Sequence, residues 1–270
     1  MIRRPLVALI GAILGILIPA FAQTAPAAAR VEVTAVAAEG TQFRLTLSDG
    51  RVLRSPELAG ATLTIRTATG PRRIRLETVE PDPSAKSEGV WLHTMMVEQP
   101  DGSMVPLCNA GPDGRRQGFP LSSRMHDDGR TETTAPEVFD LVCTGGARAK
   151  CVRFGYRPWL PEEAPLYGAC VRMVRADYCG DGAGTTRDGM SIDLYDDKGI
   201  QAADNDPGHA FEAGWTEAGA VCVAHVRVKE HTSLDALART CPRLAGKLGP
   251  TCTDAAARAL GGRVFNRSFP

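Results

Sequence analysis

The sequence is poor in aromatic side chains and in lysine. Aromatic residues make up 6% of its 270 residues, and only five of its 31 basic residues are lysine. The acidic residues also number 31, so the formal net charge is zero. Proteins that bind nucleic acid need a basic surface for the phosphate backbone. The charge balance therefore argues against a nucleic-acid partner.

Several common motifs of metal sites and hydrolases are absent. The sequence contains no CxxC pair and no cysteine-histidine spacing of the zinc-finger type, so zinc binding through sulfur is not predicted. It has no G-x-S-x-G motif, which the nucleophile of an α/β-hydrolase requires. It also lacks the EF-hand loop pattern.

Long apolar runs are missing everywhere except near the first residue. Arg3 and Arg4 precede an uncharged apolar run over residues 6–21, and a small-residue pattern ends at Ala22. This order is typical of a secretory signal peptide cleaved after Ala22. The alternative is an uncleaved anchor, but the run is shorter than the roughly 20 residues that cross a bilayer. We expect a periplasmic or secreted protein with no membrane span in its mature chain.

Cysteine is abundant by comparison, and the number of cysteines is even. In an exported protein, eight cysteines favour disulfide bonds over free thiols. If the segment around Cys170 and Cys179 is helical, these two lie about 13.5 Å apart along the axis, too far for a bridge. Cys241 and Cys252 flank a Pro- and Gly-containing connection and are the favoured pair. The cysteines are Cys108, Cys143, Cys151, Cys170, Cys179, Cys222, Cys241 and Cys252.

The first half of the mature chain shows strand and turn patterns. Apolar and polar residues alternate in "FRLTL" before an Asp49-Gly50 turn, and similar arrangements surround Gly70 and Gly102. Such patterns predict antiparallel hairpins.

Helical patterns follow in the second half. The segment "EEAPLYGACVRMVRADYC" has apolar residues at steps of three and four, which predicts an amphipathic helix. A second helix is predicted from an Asp206 N-cap to Gly219, followed by a strand in "AVCVAHVRV". Two short helices are predicted in the tail, the last with Thr253 or Asp254 as N-cap and Gly261 as its end.

Together these patterns predict an α+β protein. A β-rich antiparallel N-terminal part is followed by a disulfide-stapled mixed α/β domain. We expect a signal peptide in residues 1–22, a β-rich domain in 23–106, the mixed domain in 107–230 and a short helical tail in 231–270.

Four blocks of the middle part resemble a known family. They are "CTGGARAKCVRFGYRPW", "ACVRMVRADYCGDG", "TTRDGMSIDLYDDKGIQ" and "FEAGWTEAGAVCVAHVRV". These blocks are similar to the ADYC-domain family of exported bacterial proteins, named for the Ala-Asp-Tyr-Cys string at residues 176–179. The resemblance implies an ADYC domain in residues 107–230, with looser similarity before it, and implies no activity, cofactor or partner. In relatives a histidine often precedes the helix cysteine, whereas residues 167–169 are Tyr-Gly-Ala here, which argues against a catalytic histidine at that point.

One functional hypothesis is a hydrolase with a site around Asp177, Cys179, Asp188 and His225. A cysteine nucleophile needs a thiolate and a histidine within reach. His225 belongs to the predicted strand around Cys222, from which it can approach Cys179. An oxidising compartment and an even number of cysteines argue against a free Cys179 thiol.

A second hypothesis uses the aspartates that crowd into residues 177–206. Oxygen-rich turns can hold calcium, and Asp181, Asp188 and Asp193 are the candidate ligands of a calcium-stabilised adhesion module. Aspartate-glycine strings also form turns through side-chain bonds to their own backbone. No other cofactor is predicted.

A cluster of arginines offers a third kind of site. Arg172, Arg175 and Arg187 are candidates for holding an anionic ligand, with the neighbouring aspartates as alternative partners.

We therefore expect an exported, disulfide-stabilised protein that works by binding, or as a structural component of the cell envelope, rather than as an enzyme. Its expected partner is another envelope component or an extracellular ligand. Within "RADYCGDG", Cys179 is expected to be bridged, Tyr178 to pack inward, and Asp177 and Asp181 to close the following turn.

Overall fold

The structure is a computed structural model that describes residues 31–83, 89–111, 113–204 and 206–270. The expected signal peptide in residues 1–22 lies outside the described residues. In the described ranges, no helix is both long and apolar enough to cross a membrane.

The described chain combines antiparallel strands with four α-helices, as predicted for an α+β protein. The helices are α1 (Ala147–Arg153), α2 (Ala164–Arg175), α3 (Leu234–Thr240) and α4 (Asp254–Ala259). The strands are β1 (Val33–Glu39), β2 (Gln42–Leu47), β3 (Val52–Arg54), β4 (Thr62–Thr67), β5 (Gly70–Pro81), β6 (Trp91–Glu98), β7 (Met104–Pro106), β8 (Gln117–Leu121), β9 (Ser123–Met125), β10 (Thr131–Thr133), β11 (Asp140–Cys143), β12 (Ile192–Asp196), β13 (Ala210–Thr216), β14 (Gly219–Val223) and β15 (Val264–Ser268).

Two sheets build the β-rich part. One has the order β1-β2-β3, and the other has the order β11-β8-β6-β5-β4 with β7 also paired to β6. The three predicted hairpins are confirmed, because β2 pairs with β3, β4 with β5, and β6 with β7. Gly50, Gly70 and Gly102 adopt the positive φ angles that such tight turns require.

The larger of these sheets extends past residue 106, since β8 and β11 belong to it. Residues Glu32–Pro270 form one compact unit. The domain boundaries at residues 106 and 230 stay predictions.

The second half is organised around helix α2. It packs on a four-stranded antiparallel sheet of order β12-β15-β13-β14. Leu166, Tyr167 and Val171 of α2 share a buried core with Trp215 of β13 and with Tyr178. Because a disulfide and these large side chains converge there, α2 is the central element of the domain.

The predicted helix from Asp206 to Gly219 is wrong. Asp206 instead accepts a hydrogen bond from the amide of Gly208 in a turn, and the chain continues as strand β13. Strand β13 pairs with β14 on one side and β15 on the other, and Gly214 has no room for a side chain beside Ala257. Pairing on both sides outweighs the local helix-start signal.

The other helix predictions are confirmed. Helix α2 ends at Arg175, followed by Ala176 in the left-handed conformation. In the tail, the Thr253 side chain accepts the amide of Ala256 and is the N-cap of α4, and Gly261 follows the helix with a positive φ.

All eight cysteines lie in the described residues and form four disulfide bonds, as expected for an exported protein. The pairs are Cys108–Cys143, Cys151–Cys170, Cys179–Cys241 and Cys222–Cys252.

The prediction of a bridge between Cys241 and Cys252 is wrong. The connection between them pairs in parallel with the end of strand β14, where the amide of Val223 donates to the carbonyl of Lys247. It thereby places Cys252 against Cys222 on β14, and Cys241 against Cys179.

A buried histidine, His93 on β6, joins the two N-terminal sheets. Its Nδ1 lies 3.3 Å from the carbonyl of Gly118, which can only accept, so Nδ1 carries the proton. Its Nε2 lies 2.7 Å from Ser55 Oγ and accepts that hydroxyl proton, while Ser55 Oγ accepts the amide of Phe43. Burial lowers the pKa of His93 to about 4. The imidazole is therefore neutral in the folded protein.

This histidine makes the protein sensitive to acid. Between about pH 6.5 and pH 4 the unfolded chain binds a proton at His93 that the folded chain does not, so stability falls as pH falls. We expect His93 to contribute a loss of about 3 kcal/mol across this window. The free energy of unfolding, measured with urea, should decrease less between pH 7 and pH 4.5 in His93→Gln than in the native protein. Equal losses in both proteins would contradict the assignment.

Candidate functional site

The turn at residues 177–182 is built around the carboxylate of Asp177. Asp177 Oδ1 accepts the amides of Gly180 at 2.9 Å and Asp181 at 3.2 Å, and Oδ2 accepts the amide of Gly182 at 3.1 Å. The side chain also pairs with Arg172, and both are buried. Asp177 thus closes the turn, as expected from the sequence.

Arg172 ties this turn to two other loops. Its Nε donates to the carbonyl of Glu217 at 2.9 Å, and its Nη1 donates to the carbonyl of Asp128. Gly129 leaves the space for this contact, because a Cβ there would lie 2.4 Å from Arg172 Nη1. Arg172 is therefore a packing residue, and it offers no charge to a ligand.

Cys179 follows in the same turn and is joined to Cys241 by a disulfide. The bridged sulfur leaves no thiolate to act as a nucleophile. Arg243 covers the turn from the tail, with Nε donating to the carbonyl of Cys179 at 2.8 Å and Nη2 to that of Tyr178 at 2.6 Å.

Tyr178 points into the core and joins a buried polar cluster. Its hydroxyl donates to Glu212 Oε1 at 2.9 Å and accepts the amide of Arg227 at 3.0 Å. Glu212 forms an ion pair with Arg227 at 3.0 Å and accepts a hydrogen bond from Asn266 at 2.7 Å. Asn266 in turn accepts the indole proton of Trp215 at 2.8 Å. We call Tyr178, Glu212, Arg227, Asn266 and Trp215 the buried polar cluster.

The electrostatics of this cluster favour a charged Glu212. Burial by itself raises the pKa of Glu212, but Arg227 and the surrounding hydrogen bonds outweigh it and hold the pKa below its usual value. Burial raises the pKa of the Tyr178 hydroxyl. The cluster is thus a neutral, fully hydrogen-bonded core network that the sequence alone did not reveal.

The four residues of the hydrolase hypothesis have separate partners. Asp177 and Cys179 hold the turn as described. The side chain of Asp188 is 96% exposed, and its carboxylate lies 3.7 Å from Lys150 Nζ. His225 Nε2 lies 3.4 Å from the carbonyl of Ala210.

The calcium candidates are likewise distributed over different elements. Asp181 Oδ1 accepts the amide of Ala183 at 2.9 Å. Asp193 on β12 is buried and accepts the amide of Asp204 at 3.0 Å. In the ranges the structure describes, no group of three or more His, Cys, Asp or Glu side chains is arranged to hold a metal ion.

A cleft with several basic side chains lies between α1, the end of α2 and the loop before β12. Its volume is about 430 Å³. Lys150, Arg175, Arg187 and Arg227 line it, together with one acid, Asp188. We call this cavity the basic cleft.

The cations of the basic cleft differ in how far they are already neutralised. Arg227 is paired with Glu212 in the core. Within the described residues, the ion-pair partner of Lys150 is the distant and exposed carboxylate of Asp188, a kind of pair that water screens. Arg187 is exposed, and in the described part of the chain its Nε donates to the thioether sulfur of Met190 at 3.4 Å, a weak acceptor.

Arg175 contributes a third available cation. Its Nη2 donates to the carbonyl of Gly182, but its buried Nε has no hydrogen-bond partner within the described residues. A buried donor without an acceptor is costly. Lys150, Arg175 and Arg187 therefore surround a cavity in which an anion would find unsatisfied donors.

Much of the remaining lining of the basic cleft is apolar. Phe154, Val174, Met190 and Ile192 form its walls. Apolar walls lower the local dielectric and strengthen an ionic contact beside them. Small-molecule sites commonly combine apolar walls with a few charged or polar groups that point to the same place.

The structure separates the three arginines that the sequence singled out. Arg175 and Arg187 line the basic cleft, whereas Arg172 is buried in the core and paired with Asp177. Lys150 was missed because it lies about 25 residues earlier, and only the packing of α1 against α2 brings it to the same cavity. Its position within the block "GGARAKCVRF" was the available signal.

Comparison with known families agrees with the four sequence blocks. A model of the ADYC domain matches residues 55–229, well over half of the chain. The chain belongs to the ADYC-domain family. The matched range also covers strands of the β-rich part, from β4 onward. All residues of the basic cleft lie inside the ADYC domain. No curated protein and no solved structure matched the chain.

Proposed function

We propose that this ADYC-domain protein is exported and works in the cell envelope as a binding module, with a small anion as its ligand in the basic cleft. The observation that carries the proposal is the position of Lys150, Arg175 and Arg187 around one cavity whose described lining contains a single acid, the exposed Asp188.

Export is supported by two features of the chain. Its first 22 residues have the order of charge, apolar run and small residues of a signal peptide. Four disulfide bonds use every cysteine, which is typical of proteins that mature in an oxidising compartment. Both features agree with the periplasm or the cell exterior.

Binding is favoured over catalysis by the roles of the reactive side chains. Asp177 is enclosed by three amides and Arg172, and Cys179 is bridged. A nucleophile needs an unblocked thiol or hydroxyl with a base in reach. The basic cleft provides cations and apolar surface instead, which bind and orient a ligand.

Titration with simple anions tests the proposal. We expect inorganic phosphate or acetate to bind the native protein and to raise its melting temperature, since a ligand of the folded form stabilises it. Arg187→Ala should weaken binding about tenfold or more, because hydrogen bonds to charged groups contribute about 1.5 to 3 kcal/mol.

Arg73→Ala is the matched control, since Arg73 is an exposed arginine on β5 that pairs with Glu98 and lies outside the basic cleft. It should bind the anion as the native protein does. Equal affinity in the native protein and Arg187→Ala would rule out the basic cleft as the binding site, and failure of every anion to bind would rule out the function.

A further inference from the structure

A second cavity adjoins the basic cleft at the start of α1. Its volume is about 250 Å³, and Met125, Val142 and Ala149 are among its lining residues. Two charged residues reach it, Arg148 and Arg175. Arg148 is already paired with Asp140 at 2.7 Å. We call this the apolar cavity.

The two cavities share a boundary. Ala147, the first residue of α1, and Arg175, the last residue of α2, line both of them. Ala147 presents only a methyl group there. The basic cleft and the apolar cavity therefore meet at Ala147 and Arg175.

The chemistry of the two cavities is complementary along this path. Available cations are concentrated in the basic cleft at Lys150 and Arg187. Arg175 stands at the junction, with its unpartnered Nε. Beyond it most of the lining is apolar, and the remaining cation, Arg148, is paired with Asp140, although its buried Nε has no hydrogen-bond partner within the described residues. Because Asp140 already balances the charge of Arg148, a second anion gains less in the apolar cavity than in the basic cleft, whereas a hydrocarbon chain would be removed from water there.

We propose that the natural ligand is an amphiphilic anion: a carboxylate or phosphate head held in the basic cleft, with a single unbranched hydrocarbon chain that passes Ala147 and Arg175 into the apolar cavity. This inference rests on the proposed function, since it assigns the chemical class of the same ligand. It adds that the apolar cavity is part of the binding site, and that the affinity depends on how much of the ligand's hydrocarbon chain this cavity accommodates.

A chain-length series on the full-length, oxidised protein tests the inference. The probes are acetate, butyrate, hexanoate and octanoate, with octyl phosphate and neutral octanol as comparisons, all below the concentrations at which micelles form. Affinity is measured by isothermal titration calorimetry. We expect the affinity to rise by up to about fourfold for each methylene that enters the apolar cavity, and to level off when the cavity is full.

Two variants at the shared boundary locate the chain. Ala147→Leu puts a larger side chain where the two cavities meet, so octanoate should bind no more tightly than butyrate in that variant; the ratio of the two affinities within one variant is the readout. Ala147→Ser keeps a small side chain and should retain the full chain-length dependence. The melting temperatures of both variants, measured without ligand, verify that each is folded.

The outcomes separate the two proposals. Equal binding of acetate and octanoate would overturn the amphiphile inference and leave anion binding in place. Binding of octanol as tight as that of octanoate, or no binding of any anion, would overturn the proposed function as well. If octanoate binds more tightly than acetate, and octyl phosphate and octanoate both bind more tightly than octanol, the inference holds, and the tighter of the two identifies the head group as phosphate or carboxylate.

Discussion

Replacing Glu212 by alanine is expected to lower the free energy of unfolding by about 3 to 5 kcal/mol. The change leaves the guanidinium of Arg227 buried without the carboxylate that neutralises it, a loss of this size in other buried pairs. It also removes the acceptor of the Tyr178 hydroxyl and of the Asn266 amide. Because whole domains are stable by only about 5 to 15 kcal/mol, the variant should lose a large share of its stability.

Urea unfolding followed by tryptophan fluorescence measures this effect, since Trp215 belongs to the same buried polar cluster. Glu212→Gln keeps a side-chain oxygen acceptor, so its free energy of unfolding should fall by less. If the alanine variant does not fold, the glutamine variant still gives a measurable free energy of unfolding. Arg73→Ala breaks an exposed ion pair and should change stability by about 1 kcal/mol or less. If Glu212→Ala costs no more than Arg73→Ala, the buried polar cluster does not stabilise the fold.

Removing the bridge between Cys179 and Cys241 with a double alanine variant is expected to cost about 4 kcal/mol. The bridge closes a loop of 62 residues, and in the chain-entropy model a cross-link of that length restricts the unfolded chain strongly. It also connects the C-terminal tail to the 177–182 turn, where Arg243 contacts the carbonyls of Tyr178 and Cys179.

The comparison is the double alanine variant of Cys151 and Cys170, whose loop of 19 residues is shorter. The entropy model gives that bridge about 3 kcal/mol. Denaturant unfolding of the two variants, with peptide mapping to verify the remaining bridges, measures both. A cost below about 1 kcal/mol for the Cys179–Cys241 variant would show that the tail is held without its bridge.

The sequence predicted well where a structural signal is local. The spacing of apolar residues in α2, the turns at Gly50, Gly70 and Gly102, and the Thr253 N-cap each depend on a few neighbouring residues. The role of Asp177 was predictable for the same reason, since its amide donors follow within five residues.

Features that depend on distant residues were not predictable from the sequence. Strand β13 looked helical because its partner β15 lies about 50 residues further on, and β15 itself is too short to show a clear pattern. Cys241 and Cys252 were paired wrongly because the connection between them pairs with the end of β14, a tertiary contact that the local sequence does not show.

The candidate site was only partly predictable for the same reason. Arg175 and Arg187 could be named because they lie close together in the chain, but nothing local distinguishes Arg172, which is buried, from them. Lys150 joins the site through the packing of α1 on α2, and the apolar cavity requires the fold to be known.

The most direct test of anion binding in the basic cleft is a nuclear magnetic resonance titration of the ¹⁵N-labelled, oxidised protein with phosphate and octanoate. The proposed function predicts that amide signals of Gly145, Lys150, Thr186 and Gly189 shift with the added anion, while Gly50, in the β2–β3 turn, does not respond. Signals that shift only outside the basic cleft, or that do not shift at all at millimolar anion, would contradict it.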